Sequence, residues 1–363
     1  MTNAHAIKTT LSLSTTQLKA QGFDNETAKL EAQLLLQHAL NVNRAWLISH
    51  EDDALEANIH VAYRVLIDRR ANGEPIAYIL GCREFYGLIL KVTPDTLIPR
   101  PDTETLVEAA LARIPLMVRQ AHHERNLSAP VRPELVEGQQ NDSSSSPSFS
   151  RKWESMLNLN QKMYSRLREN DEVENKKFEE KPYVALKSLD SDFRRNDNLS
   201  ILDLGTGTGA IALAIAKHRP QANITALDAS QTALDIAIEN AQNLNIPNVK
   251  FILSDWFSAL NDEKFDLIVS NPPYIEAADA HLKQGDLRFE PLSALASGAD
   301  GLDAIRTIIT QAPQYLNTHG WLMLEHGYNQ ADKVAVLLKQ AGFSEVSHAK
   351  DLAGINRVTL GCM

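Results

Sequence analysis

From residue 199 onward the sequence predicts an α/β fold, a doubly wound and mostly parallel sheet, with a small helical bundle ahead of it. Two observations carry this. Short apolar runs alternate with segments of helical periodicity, the pattern of strands whose connecting helices cover both faces of one sheet. The glycine-rich run Gly205-Thr206-Gly207-Thr208-Gly209 directly follows the first of those apolar runs and opens the next helix.

Residues 1–75 read as helices. Ser14 is expected to cap a short helix that Gly22 ends. Asp24 then caps a stronger one, in which Ala28, Leu30, Ala32, Leu35, Leu36 and Ala39 recur at helical spacing. A short helix around Trp46 and a longer one from Ala54 to Arg70 follow, stopped by Ala71-Asn72-Gly73. Residues 76–98 read as a β-hairpin linker, since Glu84 to Val92 is rich in aromatic and branched side chains around Gly87. Pro99 and Pro101 keep the chain extended before a helix from Leu106 to Ile114, which Asp102 or Thr103 can cap, with Glu104 in its first turn.

Residues 99–363 read as a second domain, interrupted at about 116–198. The interruption holds His122-His123, the run Ser143 to Ser146 and a dense charged stretch from Arg166 to Lys181, with little clean periodicity. It is read as a surface insertion, mostly disordered. Its pieces Val118 to Arg125 and Val131 to Gly138 resemble translated mobile palindromic repeats of some bacterial genes. Beyond it, strands are expected at Ile201 to Leu204, Ile224 to Leu227, Val249 to Leu253, Phe265 to Ser270, Trp321 to Glu325 and Arg357 to Leu360. Helices are expected at Ala210 to Lys217, Ala233 to Asn243, Leu302 to Tyr315 and Gln330 to Ala341.

Composition narrows the function. The chain has 363 residues, two domains' worth, with 44% hydrophobic residues and a formal net charge of -10. That balance disfavours a protein that wraps duplex DNA, which needs clustered Lys and Arg. Cys82 and Cys362 offer neither a CxxC spacing nor a disulfide framework, as fits a reducing cytosol. No signal peptide is visible and no apolar run approaches the roughly 20 residues that span a bilayer, so a cytoplasmic protein without membrane partners is expected.

Four segments carry chemistry. The Gly205 to Gly209 run lets the backbone turn sharply and approach a ligand, and its GxGxG spacing leans away from the GxGxxG of dinucleotide sites. Asp228 ends the next strand, where a carboxylate can accept from ribose hydroxyls or, alternatively, cap the following helix. Trp256 follows the third strand and can pack on a purine ring or in the core. Asn271-Pro272-Pro273-Tyr274 follows the fourth. Two prolines make that turn rigid, which can leave a carbonyl free beside the Asn271 amide oxygen. Two such acceptors hold a planar NH₂ group and favour the positive charge it develops on attacking a methyl sulfonium; Tyr274 offers a flat wall. No Ser-His-Asp arrangement or metal-ligand cluster competes. His326 fits a strand end.

Together these residues resemble class I methyltransferases that use S-adenosylmethionine, and the Asn-Pro-Pro-Tyr motif resembles enzymes acting on a planar-group nitrogen. Phe85-Tyr86-Gly87, Ile98 to Glu104, Arg288-Phe289-Glu290-Pro291 and Asp300-Gly301-Leu302 make the chain similar to the release factor glutamine methyltransferase family over roughly residues 10–115 and 199–361. The resemblance implies a seven-stranded sheet and a substrate-recognition role for the helical segment. It implies that Gly205, Thr206, Gly207, Thr208, Gly209, Asp228, Trp256 and Asn271 bind S-adenosylmethionine. It further implies that Asn271, Pro272, Pro273 and Tyr274 bind the glutamine of a Gly-Gly-Gln loop in peptide chain release factors, with no metal and no stable nucleic-acid partner. It assigns no role to the arginine-proline motif at Arg100. Two competing readings remain: an adenine N6 methyltransferase, which would share these motifs, and a silent binding protein disabled by its insertion.

Overall fold

A computed structural model describes residues 6–114 and 199–363; the expected insertion at about 116–198 lies outside them. Five helices come first: α1 (Ile7–Ala20), α2 (Asn25–Leu40), α3 (Arg44–Ser49), α4 (Ala57–Ala71) and α5 (Ile76–Leu80). Asp24 caps α2 as its sequence predicts, accepting from the amides of Glu26 and Thr27 at 3.0 and 2.9 Å. Ser14 does not cap. It is buried in the middle of α1, whose inward residues Ile7, Thr10, Ser14 and Leu18 follow helical spacing. A run so rich in Ser and Thr has weak helix propensity, and burial against α2 and α4 overrides it.

The segment expected to be a hairpin from Ile76 begins instead as α5. Gly81, in left-handed backbone at φ 73°, ends that helix before the antiparallel pair β1 (Cys82–Phe85) and β2 (Leu88–Lys91). All but the first residue of α5 is buried, and an apolar run of that length suits either element until its surroundings are known. Cys82 and Cys362 are both buried free thiols.

Helix α6 covers residues 104–114. The sheet then follows as β3 (Ser200–Leu204), β4 (Asn223–Asp228), β5 (Val249–Leu253), β6 (Phe265–Ser270), β7 (Leu316–Glu325), β8 (Ser344–Lys350) and β9 (Asn356–Cys362), in spatial order 5-4-3-6-7-9-8. Strands β3 to β7 pair in parallel, and β9 runs antiparallel between β7 and β8. Helices α7 (Ala210–His218), α8 (Gln231–Asn243), α9 (Asp303–Gln311) and α10 (Ala331–Gln340) cover it.

Alternation along β3 divides the core. Ile201 packs on the face covered by α6 and α7, while Leu202 and Leu204 face α9 and α10. The sheet is therefore covered on both sides, which explains the nearly continuous apolar strands. Strand β8 has no expectation in the sequence. It is an edge strand, mostly exposed and polar, recognisable only by its pairing with β9. The helix expected up to Tyr315 stops at Gln311, and a 3-10 turn carries Pro313, which cannot donate within a helix. Strand β7 starts five residues early, because its register against β6 jumps across Asn317 to Gly320, a stretch with the composition of a turn.

Candidate functional site

The carboxyl ends of β3, β4, β5 and β6 bring the predicted residues to one edge of the sheet. Strand order reverses between β3 and β6, so the glycine run after β3 and Asn271 after β6 flank the crevice where open α/β sheets bind ligands.

Gly205, Gly207 and Gly209 all have positive φ, at 71°, 57° and 81°. A Cβ on Gly209 would press on Leu213 and Ala237, so that glycine serves packing; one on Gly207 would meet no protein atom within 4 Å and would fill open space beside the crevice. Gly207 therefore lines a cradle, and its amide donates to Asp228 Oδ2 at 2.8 Å. Thr206 and Thr208 point inward. The Thr206 hydroxyl donates to Asp203 Oδ2 at 2.7 Å, and the Thr208 carbonyl accepts from the Asn240 side chain at 2.9 Å. Asn240 also exchanges hydrogen bonds with the Lys91 backbone, fastening the β1–β2 hairpin to the glycine run.

Asp228 accepts from the Ser230 amide through Oδ1 at 2.9 Å, while Ser230, not Asp228, caps α8. Burial raises the Asp228 carboxyl, and the amides of Ser230 and Gly207 pull it back. Trp256 stands in left-handed backbone at φ 48°, an arrangement that costs a bulky residue on the order of 1–3 kcal/mol. The Ser254 hydroxyl holds it by donating to its carbonyl at 2.7 Å. The indole is half-buried against the core, and a Cβ on Gly205 would lie 3.9 Å from its edge. Of its two expected roles, the structure shows the core packing. Asp255, beside it, is exposed.

The Asn271 Nδ2 donates to Thr103 Oγ1 at 3.0 Å, which turns the amide oxygen away from that partner. Pro272 and Pro273 cannot donate, and among the described residues no side chain or loop amide donates to the Pro272 carbonyl. Tyr274 is half-buried, and its hydroxyl donates to Glu325 Oε1 at 3.2 Å. Burial, with the charge of Glu325 next, pushes the Tyr274 phenol well up, so it stays protonated.

Two buried carboxyls stand behind this edge. Burial pushes Asp203 up to about 7, against hydrogen bonds from Thr206 and Ala212. Burial likewise pushes Glu325 up to about 7, against hydrogen bonding with Thr103 and Tyr274. Between about pH 4 and 7 the folded protein therefore holds protons that the unfolded chain has released, so stability falls as pH rises through that window. Asp203→Asn is expected to flatten this part of the profile by about 1.4 kcal/mol per pH unit near its steepest. Urea unfolding of both proteins from pH 5 to 8 measures it; parallel profiles would refute the assignment.

The arginine-proline motif has no role legible in the sequence, and the structure supplies one. Arg100 pairs with buried Glu290, whose other oxygen accepts from the Ile98 amide at 3.0 Å. The two sequence motifs thus lock together, fixing the loop after Tyr274. The same loop is tied to the helical segment: Arg288 donates to the Asn72 carbonyl at 2.8 Å, and Arg70 approaches Asp286 at 3.3 Å. Asp300-Gly301-Leu302 closes the far side. Gly301 has φ 73°, and a Cβ there would sit 2.2 Å from the Tyr274 carbonyl, which already accepts from Gln330 at 3.0 Å. Gly301→Ala is expected to displace Tyr274 and lower kcat about tenfold or more. Steady-state kinetics decides, and unchanged kcat would show that the turn absorbs the methyl group. His326 is buried at the end of β7 against Thr359 and the Gly327 carbonyl, a structural histidine. Among the described residues no group of three His, Cys, Asp or Glu could hold a metal ion, and no helix is long and apolar enough to cross a membrane.

A seven-stranded sheet with an antiparallel penultimate strand, a glycine cradle after its first strand and an acid after its second define a class I, S-adenosylmethionine-dependent methyltransferase. The family model for the methyltransferase small domain matches residues 183–286, and the PrmC N-terminal domain model matches residues 10–81. The release factor glutamine methyltransferase of Xylella fastidiosa strain 9a5c is 40% identical, over 92% of this chain and 92% of its own. That of Vibrio cholerae serotype O1 is 38% identical, over 98% of this chain and 96% of its own. Among solved structures, the ribosomal protein L11 methylase of Lactobacillus delbrueckii subsp. bulgaricus is 23% identical, covering 47% of this chain and 72% of its own, with a TM-score of 0.33. The chain belongs to the release factor glutamine methyltransferase family.

Proposed function

We infer that this protein methylates the side-chain amide nitrogen, N5, of the Gly-Gly-Gln glutamine in peptide chain release factors. The observation that carries the reading is the state of Asn271: its NH₂ is already engaged by Thr103, so its Oδ1 is the edge left to accept from a substrate NH₂. The Pro272 carbonyl is the second acceptor, and Tyr274 forms a wall for the planar amide. The glycine cradle with Asp228 and Trp256 would hold S-adenosylmethionine, which supplies an electrophilic methyl sulfonium when bound. Transfer of that methyl group to nitrogen would leave the electron pair of its broken bond on sulfur and release a proton from the nitrogen to water. An amide nitrogen is a poor nucleophile, so the chain contributes alignment and two acceptors that favour charge on it.

In this reading residues 1–75 recognise the release factor, 76–98 join them to the catalytic domain of 99–363, and the enzyme works in the cytoplasm without a metal or a bound nucleic acid. The reading is tested by transfer from methyl-labelled S-adenosylmethionine to purified, unmethylated release factor, with peptide mass mapping. One methyl group on the Gly-Gly-Gln glutamine is expected. Methylation of nucleic acid with none on the release factor would overturn the assignment.

A further inference from the structure

The loop that follows Tyr274 is closed just past its start: the Ile275 amide donates to the Leu295 carbonyl and the Ser297 amide to the Ile275 carbonyl, each at 2.9 Å. Residues 276–294 therefore form a lobe whose base is fixed beside Tyr274. Within it, the 3-10 turn Gly285–Phe289 and the residue after it grip the helical segment and the hairpin. Asp286 approaches Arg70 of α4 at 3.3 Å, and Arg70 is itself held by buried Glu31 of α2. Arg288 donates at 2.8 Å to the carbonyl of Asn72, the residue that ends α4. Gly73 leaves room for this, since a Cβ there would come 1.9 Å from the Arg288 guanidinium. Phe289 packs on the cluster of Ala77, Tyr78, Val92 and Ile98, and Glu290 takes the Ile98 amide and Arg100. Arg288 is exposed and the Asp286 side chain is 42% exposed, so their polar contacts contribute little to stability. What they supply is orientation between two segments that a small polar interface would otherwise leave free to move.

We propose that Asp286 and Arg288 are positioning residues, an interdomain clasp that holds the helices receiving the release factor at a fixed reach from the methyl-transfer site. The proposal rests on residues 1–75 recognising the release factor. A protein substrate held at two places must deliver its glutamine to Asn271 without strain, so the span between those places is part of specificity. Relative motion of the two segments spreads that span and weakens productive binding. Both clasp residues act through the placement of α4 relative to Tyr274. A short peptide carrying Gly-Gly-Gln engages the site alone and is indifferent to the clasp.

Arg288→Ala and Asp286→Ala are each expected to raise the KM for release factor about fivefold, with kcat on it and the Tm little changed. On a Gly-Gly-Gln peptide, kcat/KM stays within about twofold of the parent protein. The double variant costs less than the product of the two losses, because one clasp is broken twice. Direct contact of these side chains with the release factor predicts a different pattern: removing charges of opposite sign would shift KM in opposite directions. Should one variant fold poorly, the other reads the same clasp. Opposite shifts, an unchanged KM for release factor, fully multiplicative losses or an equal loss on the peptide would overturn the proposal. If the parent protein does not methylate release factor, the proposed function fails and the clasp with it. If the parent does and the variants match its KM, the clasp alone fails.

Discussion

Asn271→Ala is expected to lower kcat about 10²–10³-fold, the range seen when one preorganised polar contact to a developing charge is removed. The side chain sits at the end of β6, beside the strand-order reversal, and its Nδ2 is held at 3.0 Å by Thr103. Removing it takes away one of the two acceptors proposed for the substrate NH₂ without opening the core, because the residue is only half-buried. Thermal unfolding should therefore match the parent protein. Single-turnover transfer to release factor isolates the chemical step, and a rate within about threefold of the parent would eliminate the clamp.

The largest stability effect is expected at Arg70. Its guanidinium makes two hydrogen bonds to Glu31, at 2.7 and 3.1 Å, donates to the Glu74 carbonyl at 3.0 Å and lies 4.4 Å over the Phe23 ring. Both side chains are nearly enclosed, at 7% and 10% exposure. Burial raises the Glu31 carboxyl, and Arg70 is what pulls it back. Arg70→Ala would strand that carboxyl, and breaking such a buried pair from one side costs about 3–5 kcal/mol. Replacing both partners by apolar residues of similar volume should recover much of the loss, since no unpaired charge remains. Urea unfolding gives the comparison, and a loss below about 1 kcal/mol for Arg70→Ala would show that the helices relax to hydrate Glu31. Arg70 also reaches Asp286 in the loop after Tyr274, so the KM for release factor is expected to rise with it.

The cap at Asp24, the parallel strands with their glycine run, and the acid and tetrapeptide at strand ends were all legible in the sequence. Each rests on a local signal: a side chain bonding amides two or three residues away, an apolar run of strand length, or a residue type needed at a strand end. Ser14 shows the limit. Its composition suggests a cap, yet contacts with α2 and α4, remote in sequence, make it an interior helix residue. Helix α5 and strand β8 were missed for related reasons: one is an apolar run ambiguous in isolation, the other a polar edge strand specified by its neighbour β9.

The site divides the same way. By itself the sequence determined the parallel strands and the gathering of glycine, proline, asparagine and acid at their carboxyl ends, because those residue types act there through short-range geometry. Only the tertiary structure decided that Thr206 and Thr208 turn inward, that Arg100 closes on Glu290, and that the Asn271 amide bonds Thr103. Those outcomes depend on which donor finds which acceptor across up to 190 residues of chain, and that pairing is set by desolvation in the folded core, where an unmatched polar atom is costly.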